Sequence, residues 1–126
     1  VRCCGRMPQH RRRKKGPRML YASFARVRPD KVDKLQAWLA ELMRRRAEVL
    51  ESFRQEGTRE EQAYLLPDGQ GFVLVHITDA DDSDQANAAY ETSSLPIDIE
   101  HHAMLEECLA ERLPLRPSYR CTAAGD

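Results

Sequence analysis

One tight turn constrains the fold of this chain more than any other feature. The segment PDGQG joins two β-rich stretches, Glu60 to Leu66 and Gly71 to Thr78, and its Pro-Asp-Gly core is typical of a β-hairpin. Helical patterns flank the hairpin on both sides, and a further β-rich segment, MLYASFARV, precedes the first of them. Strands and helices in this order predict a mixed α+β domain.

The other segments predict three helices and a last strand. The first helix begins at the capping residue Asp30 and ends at Gly57, which gives a length of about 40 Å at ~1.5 Å per residue. A short helix covers Ala86 to Tyr90 after the acidic stretch DADDSD, and another runs from residue 96 or 98 to Arg112. Residues 113–119, interrupted by prolines, predict an edge strand. The order β-α-β-β-α-α-β is that of the ferredoxin-like split β-α-β fold with an antiparallel sheet.

Both faces of the second hairpin strand are apolar. Phe72, Leu74 and His76 point one way, and residues 73, 75 and 77 point the other way. Helices cover only one face of such a sheet, so the face that holds Phe72 and Leu74 would be left in water. We therefore expect a second copy of the chain to cover this face as a homodimer, with His76 lining the interface or a barrel formed by two sheets.

Length and charge divide the chain into one domain and its tails. At 126 residues and 41% apolar, it is long enough for a single core. Residues 1–18 hold eight Arg or Lys and no acid, so the remainder has twelve basic against twenty acidic residues. The tract RRRKK is typical of a nucleic-acid-binding arm or a nuclear import signal, but we favour a non-native extension upstream of Met19, because an acidic body is a poor partner for nucleic acid. The expected domain spans 19–120, between a basic tail at 1–18 and a C-terminal tail at 121–126.

Hydropathy and cysteine spacing predict a cytoplasmic protein. No run reaches the ~18 to 20 apolar residues of a membrane span, and the N-terminus lacks the apolar stretch of a secretion signal. The four cysteines, Cys3, Cys4, Cys108 and Cys121, lack the spacing of a metal site and fit reduced thiols. Sixteen arginines against four lysines are typical of a GC-rich bacterial genome.

Two adjacent histidines on the last helix differ in their predicted environments. His101 falls on the apolar face, so it is either a core histidine with one hydrogen-bonded nitrogen or a general acid or base. His102 lies one turn from Asp98 and from Glu106, so local ion pairing explains it. Three ligands in a row down one helix make a poor metal site, and no metal is expected. Asp98 and Glu100 lie near the start of the helix, where capping and the helix dipole explain negative charge.

A cation on the apolar stripe of the first helix is another candidate. Projection at ~100° per residue places Arg46 near the centre of this stripe, whereas Arg44 and Arg45 point to solvent. An unpaired buried guanidinium costs several kcal/mol. Arg46 therefore extends beyond the sheet edge, pairs inside the protein, or binds the carboxylate or phosphate of a ligand.

Three segments resemble a known group of proteins: RVRPDKVDKLQAWLAEL, EEQAYLL and SSLPIDIEHHAMLEECL. Over residues 20–119 the chain resembles a small family of uncharacterised bacterial proteins in the dimeric α/β-barrel superfamily, and the Pro-Ile-Asp-x-Glu-His element is the most specific part. The resemblance implies two ferredoxin-like units that pair their sheets into a barrel, with a ligand pocket between helices and sheet in each subunit.

Relatives in that superfamily include antibiotic-biosynthesis monooxygenases and heme-degrading enzymes. The heme-degrading pattern joins an asparagine on the first strand to a tryptophan and a histidine. This chain has no asparagine in residues 19–27, and its one tryptophan, Trp38, lies on the first predicted helix. Heme degradation is therefore not expected.

Two functions of different class follow. The first is a pocket that binds a small organic molecule, with monooxygenase-like or isomerase-like chemistry and no tightly bound cofactor. In this hypothesis His101 acts as acid or base, Arg46 orients an anionic group, Trp38 or Tyr64 forms an apolar wall, and His76 is a further ligand-binding candidate. The alternative is a non-catalytic dimeric binding or regulatory module. In this hypothesis His101 and Arg46 are paired with neighbouring side chains of the protein, and no pocket exists.

Overall fold

The computed structural model describes residues 19–123. Within them the order of elements is β1 (Met19–Val27), a 3-10 helix (Pro29–Lys31), α1 (Val32–Arg44), α2 (Arg46–Glu56), β2 (Thr58–Pro67), β3 (Phe72–Ala80), α3 (Ser83–Glu91), α4 (Pro96–Cys108) and β4 (Leu109–Leu115). The predicted α+β class and ferredoxin-like plan are confirmed. The basic tail at 1–18 and the last three residues of the expected C-terminal tail lie outside the described residues.

The strands form one antiparallel sheet in the order β2-β3-β1-β4. The central strand β1 pairs Ser23 with His76 of β3 on one side and with Pro114 of β4 on the other. The predicted hairpin joins β2 to β3. Its turn is closed by the Asp68 N–H, which donates to the Gly71 carbonyl at 3.1 Å, and Gly69 supplies the positive φ of 87° that the turn requires.

The first helical stretch is two helices, not the single helix predicted from Asp30 to Gly57. At Arg45 the backbone leaves the helical range, with φ −99° and ψ 41°, so α1 ends and α2 begins there. The predicted stop is confirmed, because Gly57 ends α2 in the left-handed conformation at φ 73°. Asp30, however, lies in the 3-10 helix that precedes α1, and no side chain caps α1.

This break overturns the predicted placement of Arg46. A projection at constant angle assumes an unbroken helix, and one non-helical residue rotates every side chain that follows it. Arg46 is therefore exposed, whereas the Arg45 side chain is only 15% exposed. The prediction placed Arg46 on the inner face and Arg45 in solvent, and the structure shows the reverse.

The helices cover the sheet face that was expected to be free. Leu74 is 5% exposed and belongs to the apolar core, and Phe72 packs against that core. The members of the core are Ala25, Val27, Leu35, Leu74, Leu105, Cys108 and Leu109. None of the helices in residues 19–123 covers the opposite face, and its large exposed side chains are Leu20, Tyr64, Leu66, Leu113 and Leu115, at 43 to 70% exposure. Alternation along a strand separates two faces but does not say which one the helices cover, so the prediction chose the wrong face.

The last helix also ends earlier than predicted. α4 stops at Cys108 and β4 begins at the next residue, so Arg112 lies on the edge strand and not on the helix. Cys108, the last residue of α4, is buried, with an exposed fraction of 0%. Among residues 19–123, every helix is too short or too polar to cross a bilayer.

Candidate functional site

A cavity of about 390 Å³ lies between the helices and the sheet, beyond the end of the apolar core. All four strands and all four α-helices of the described residues contribute to its walls. Its apolar lining includes Leu42, Val49, Phe53, Ile97 and Leu105. Its ionisable lining consists of Tyr21, Glu56, Glu61, His76, Tyr90, Asp98, His101 and Arg112. Residues 19–123 hold no group of three or more His, Cys, Asp or Glu side chains arranged to bind a metal ion.

A hydrogen bond from Trp38 on α1 fixes the tautomer of His101 on α4. The Trp38 Nε1–H donates to His101 Nδ1 at 2.8 Å. Because an indole nitrogen can only donate, Nδ1 carries no proton, and the neutral ring holds its proton on Nε2. Burial lowers the pKa of His101 to about 4. The ring is therefore neutral at pH 7, and Nε2–H is the group that it can offer to a ligand.

Trp38 lies behind His101 instead of lining the cavity. Its side chain is buried, with 6% exposure, and its ring stacks beside the imidazole at a centroid distance of 6.0 Å. The Arg45 guanidinium lies 5.9 Å from the centroid of the Trp38 ring. Arg45 in turn donates to Glu48 and to Glu100, in both cases at 2.8 Å. The break between α1 and α2 thus brings a paired cation against the tryptophan that orients His101.

Two carboxyl groups on the cavity have opposite pKa shifts. Burial, reinforced by the negative charge of Glu61, raises the pKa of Glu56 to about 7. The Glu61 side chain is 31% exposed, and its partial burial would also raise its pKa, but the neighbouring His76, together with His101 and Arg112, lowers that pKa below its usual value. Glu61 Oε1 lies 3.7 Å from His76 Nε2. At neutral pH Glu61 is therefore ionised, whereas Glu56 is close to its titration midpoint.

Asp98 points into the protein rather than capping α4, so the predicted capping role is wrong. Leu95 is the N-cap residue and no side chain caps this helix. Asp98 is only 6% exposed, and its Oδ1 accepts a hydrogen bond from the Ser52 hydroxyl at 2.6 Å. Its Oδ2 and the Tyr90 hydroxyl are buried without a hydrogen-bond partner among residues 19–123. Burial also raises the pKa of Tyr90, so the phenol stays protonated.

The other polar residues of α4 make different contacts from those expected. His102 Nε2 lies 3.3 Å from Glu91 Oε1 on α3, so its partner is neither Asp98 nor Glu106. Glu100 pairs with Arg45 across the helix interface. Both interactions are inter-helical contacts, which spacing along one helix cannot predict.

The structure brings together some of the predicted site residues and separates others. His101 and His76 both line the cavity, and Trp38 is hydrogen-bonded to the first of them. His76 faces the helices, because it shares a face with Leu74, and not the uncovered face where it was expected. Arg46 is exposed on α2, and Tyr64, at 44% exposure, lies on the uncovered face. The functional roles of these residues remain predictions.

Sequence reasoning missed the acidic side of the cavity. Glu61 belongs to an alternating series with Ala63 and Leu65 along β2, and that alternation was a usable signal of an inward carboxylate. Glu56 gave no such signal, because the phase of α2 depends on the break at Arg45. Arg112 was missed because it was assigned to the end of a helix.

Solved structures with the same fold support this architecture. A conserved protein from Methanosarcina mazei Go1 superposes with a TM-score of 0.51 at 16% identity, covering 79% of this chain and 91% of that one. A protein from Nitrosomonas europaea, proposed to be an antibiotic biosynthesis monooxygenase, gives a TM-score of 0.51 at 18% identity over 79% and 88% of the two chains. Rv0793 from Mycobacterium tuberculosis gives 0.50 at 17% identity over 84% and 100%. The predicted resemblance to the monooxygenase-like superfamily is thus confirmed for the fold.

The sequence itself places the chain in a family. No curated protein shows significant similarity to it. A family model described as a family of unknown function, DUF6176, matches residues 21–122. Because this match spans most of the 126 residues, the chain belongs to the DUF6176 family.

Proposed function

We propose that this protein binds a small organic molecule in the cavity between helices and sheet and catalyses proton transfer on it, without a tightly bound cofactor. The volume of about 390 Å³ falls within the range of small-molecule pockets, roughly 300 to 1,000 Å³. The observation that carries the proposal is the convergence of Glu56, Glu61, His76, His101 and Tyr90 on this one cavity. Four of these groups, Glu56, Glu61, Tyr90 and His101, have shifted pKa values, and such clusters are typical of active sites.

The opposite pKa shifts of the two glutamates support different roles for them in this reaction. Glu61, ionised and beside His76, acts as the base that removes a proton from a carbon next to a carbonyl group. The electron pair of that C–H bond moves onto the carbonyl oxygen, which accepts a hydrogen bond from His101 Nε2–H. Glu56 in its protonated form donates a proton to another atom of the substrate, and proton exchange with water then restores the Glu61 carboxylate and the Glu56 acid. The result is an isomerisation, which we favour over a monooxygenase-like reaction because the lining groups move protons.

Deuterium exchange tests this proposal without knowledge of the physiological substrate. A panel of small carbonyl compounds is incubated with the protein in D₂O, and NMR follows the loss of the C–H signals next to the carbonyl. We expect the wild-type protein to accelerate exchange on at least one compound and Glu61→Gln to slow it about 100-fold or more, whereas Glu56→Gln should slow the appearance of the isomer and leave this exchange in place. Arg46→Ala is the matched control, since this exposed side chain lies away from the cavity and its loss leaves the rate unchanged. Wild-type exchange by Glu61→Gln would contradict the assignment.

We also propose that two copies of the chain pair through their uncovered sheet faces to form a dimeric α/β barrel. Leu20, Tyr64, Leu66, Leu113 and Leu115 expose apolar surface on this face, and a patch of this kind marks an interface. Sedimentation velocity of the wild-type protein should give a dimer, and Leu66→Glu should give a monomer. Met43→Glu changes a side chain that is 80% exposed on α1 and should remain dimeric. A wild-type monomer at micromolar concentration would overturn this proposal.

A non-catalytic dimeric module is the second candidate function. The contact of His101 with Trp38 favours it, because one imidazole nitrogen is already occupied by the protein. A stable dimer that exchanges no deuterium on any compound would support this alternative.

For either function we place the protein in the cytoplasm, because the free thiols of Cys108 and Cys121 would remain reduced there.

A further inference from the structure

The hydroxyl group of Ser52 lies between two buried carboxyl groups. Ser52 Oγ is 2.6 Å from Asp98 Oδ1 and 3.0 Å from Glu56 Oε2. All three residues are buried, with exposed fractions of 5 to 7%. A serine hydroxyl carries a single hydrogen, so it can donate to only one of these carboxyl groups. The second contact is a hydrogen bond only if that carboxyl group itself carries a proton.

The geometry indicates that Glu56 carries this proton. The contact with Asp98 has the length of a hydrogen bond from a hydroxyl to a carboxylate, roughly 2.5 to 2.7 Å, so Ser52 donates to Asp98. The Thr58 hydroxyl donates to Glu56 Oε1 at 2.9 Å, which leaves Glu56 Oε2 to hold a hydrogen toward Ser52. The raised pKa of Glu56 likewise favours a protonated Glu56.

We propose that Ser52 is a positioning residue that joins Glu56 to Asp98 in a relay chain holding one shared proton. In the relay chain, the hydrogen of Glu56 Oε2 moves to Ser52 Oγ as the hydrogen of Ser52 moves to Asp98 Oδ1. One proton is thereby transferred, the hydroxyl is restored, Glu56 becomes a carboxylate and Asp98 becomes an acid. This inference rests on the proposed function and deepens it, because Asp98 gives Glu56 a proton store that is shielded from solvent.

Seven other charged or titratable groups within residues 19–123 line the cavity around Glu56, and two of them, Glu61 and Asp98, influence whether Glu56 is protonated. The seven are Tyr21 on β1, Glu61 on β2, His76 on β3, Tyr90 on α3, Asp98 and His101 on α4, and Arg112 on β4. Both phenols are neutral at pH 7, since burial raises the pKa of Tyr21 to about 12 and raises that of Tyr90 as well. His101 is neutral too. The negative charges of Glu61 and Asp98 both favour the protonated form of Glu56. The relay chain predicts that Asp98 acts mainly through Ser52, in addition to its charge, whereas Glu61 acts through its charge alone.

A carboxyl ¹³C NMR titration of the full chain tests the relay chain, with Glu56→Gln used to assign the Glu56 signal. In the wild-type protein we expect this signal to titrate near pH 7. Asp98→Asn should lower its midpoint by about one pH unit, because a neighbouring negative charge is lost. In the Ser52→Ala background the same substitution should have less than half of that effect. In the Ser52→Thr background, which keeps a hydroxyl, the full effect should remain.

Two results would overturn the relay chain. One is an equal effect of Asp98→Asn with serine and with alanine at position 52, and the other is a wild-type Glu56 that titrates at its ordinary value. If Ser52→Ala does not fold, Ser52→Cys keeps the side-chain size with a weaker donor, and it should also reduce the effect of Asp98→Asn. The titration requires no substrate, so a protein that fails the deuterium-exchange assay can still show the coupling. Conversely, an active protein without the coupling would refute the relay chain alone.

Discussion

The layer between helices and sheet has two ends of opposite character. At one end the side chains form a dry apolar core in which Leu35 and Cys108 are fully buried. At the other end the strands, α1 and α4 continue into a cavity with ionisable groups, which α2 and α3 also line. On α4, for example, Cys108 belongs to the core, whereas Asp98 and His101 face the cavity. The two ends thus share their strands, α1 and α4, and they differ in the inward side chains and in the two helices that only the cavity uses.

The change from apolar to polar occurs at matching positions on neighbouring strands. On β1 the inward side chain changes from Ala25 to Ser23, and on β3 it changes from Leu74 to His76. These positions are register partners, Ala25 with Leu74 and Ser23 with His76. Inward polar groups lower stability unless they are paired, so a coincident change on paired strands indicates a built site and not a packing defect. The comparison of the two ends is therefore the basis on which the cavity can be tested.

The largest expected effect compares a leucine from each end. Leu35→Ala removes a fully buried side chain from the core and should lower the free energy of unfolding by about 2 to 5 kcal/mol. Leu42→Ala should cost less than half as much, because Leu42 is only partly buried and already borders the cavity. Urea denaturation at pH 7 measures both. Equal losses would mean that the cavity end is packed like the core.

The next effect depends on pH and concerns Glu56. Its pKa is raised from 4.5 to about 7 in the folded protein, so the folded state binds more protons than the unfolded state between these values and loses stability as pH rises through them. Glu56→Gln imitates the protonated acid, because an amide N–H can donate to Ser52. The variant should match the wild type near pH 4.5 and exceed its free energy of unfolding by about 2 to 3 kcal/mol at pH 8.

The control for this prediction lies on the same helix. Glu51 is exposed on α2, and Glu51→Gln should change the free energy of unfolding by the same small amount at both pH values. A difference between Glu56→Gln and the wild type that does not vary with pH would contradict the raised pKa of Glu56. Glu56 would then contribute to stability through packing alone, as the residues of the core end do.

The order of the elements was easier to predict from sequence than the directions of their side chains. Turn and cap residues act locally, so PDGQG and Gly57 identified the hairpin and the end of α2, and the order of elements followed. The cavity depends on directions that local signals do not fix. The break at Arg45 exchanged the positions of Arg45 and Arg46, and the start of β4 at Leu109 moved Arg112 to the sheet edge. His101 could be predicted because α4 has no such break between its apolar positions and this histidine.

A smaller effect tests how the protonation state of His101 is fixed. Trp38→Phe keeps an aromatic ring but removes the N–H that donates to His101 Nδ1, which should lower the free energy of unfolding by about 1 to 2 kcal/mol. With Nδ1 free to accept a proton, the pKa of His101 should rise from about 4, and ¹⁵N NMR of the imidazole would follow it. Tyr90→Phe is the control, because it removes a hydroxyl that has no hydrogen-bond partner within residues 19–123 and keeps the ring beside His101. An unchanged His101 titration in Trp38→Phe would mean that burial alone lowers the pKa.

The smallest effect compares two neighbouring arginines at the helix break. Arg45→Ala removes hydrogen bonds to Glu48 and Glu100 and a cation from the Trp38 ring, so its urea midpoint should fall below that of the wild type, and by less in high salt. Arg46→Ala changes an exposed side chain and should leave the midpoint unchanged. Because Arg45 also packs on the tryptophan that holds His101, its loss should shift the His101 imidazole signal, whereas the loss of Arg46 should not. If neither variant changes the urea midpoint or the His101 signal, the backbone alone determines the break between α1 and α2. The Arg45 cation would then contribute nothing to the stability of the cavity end.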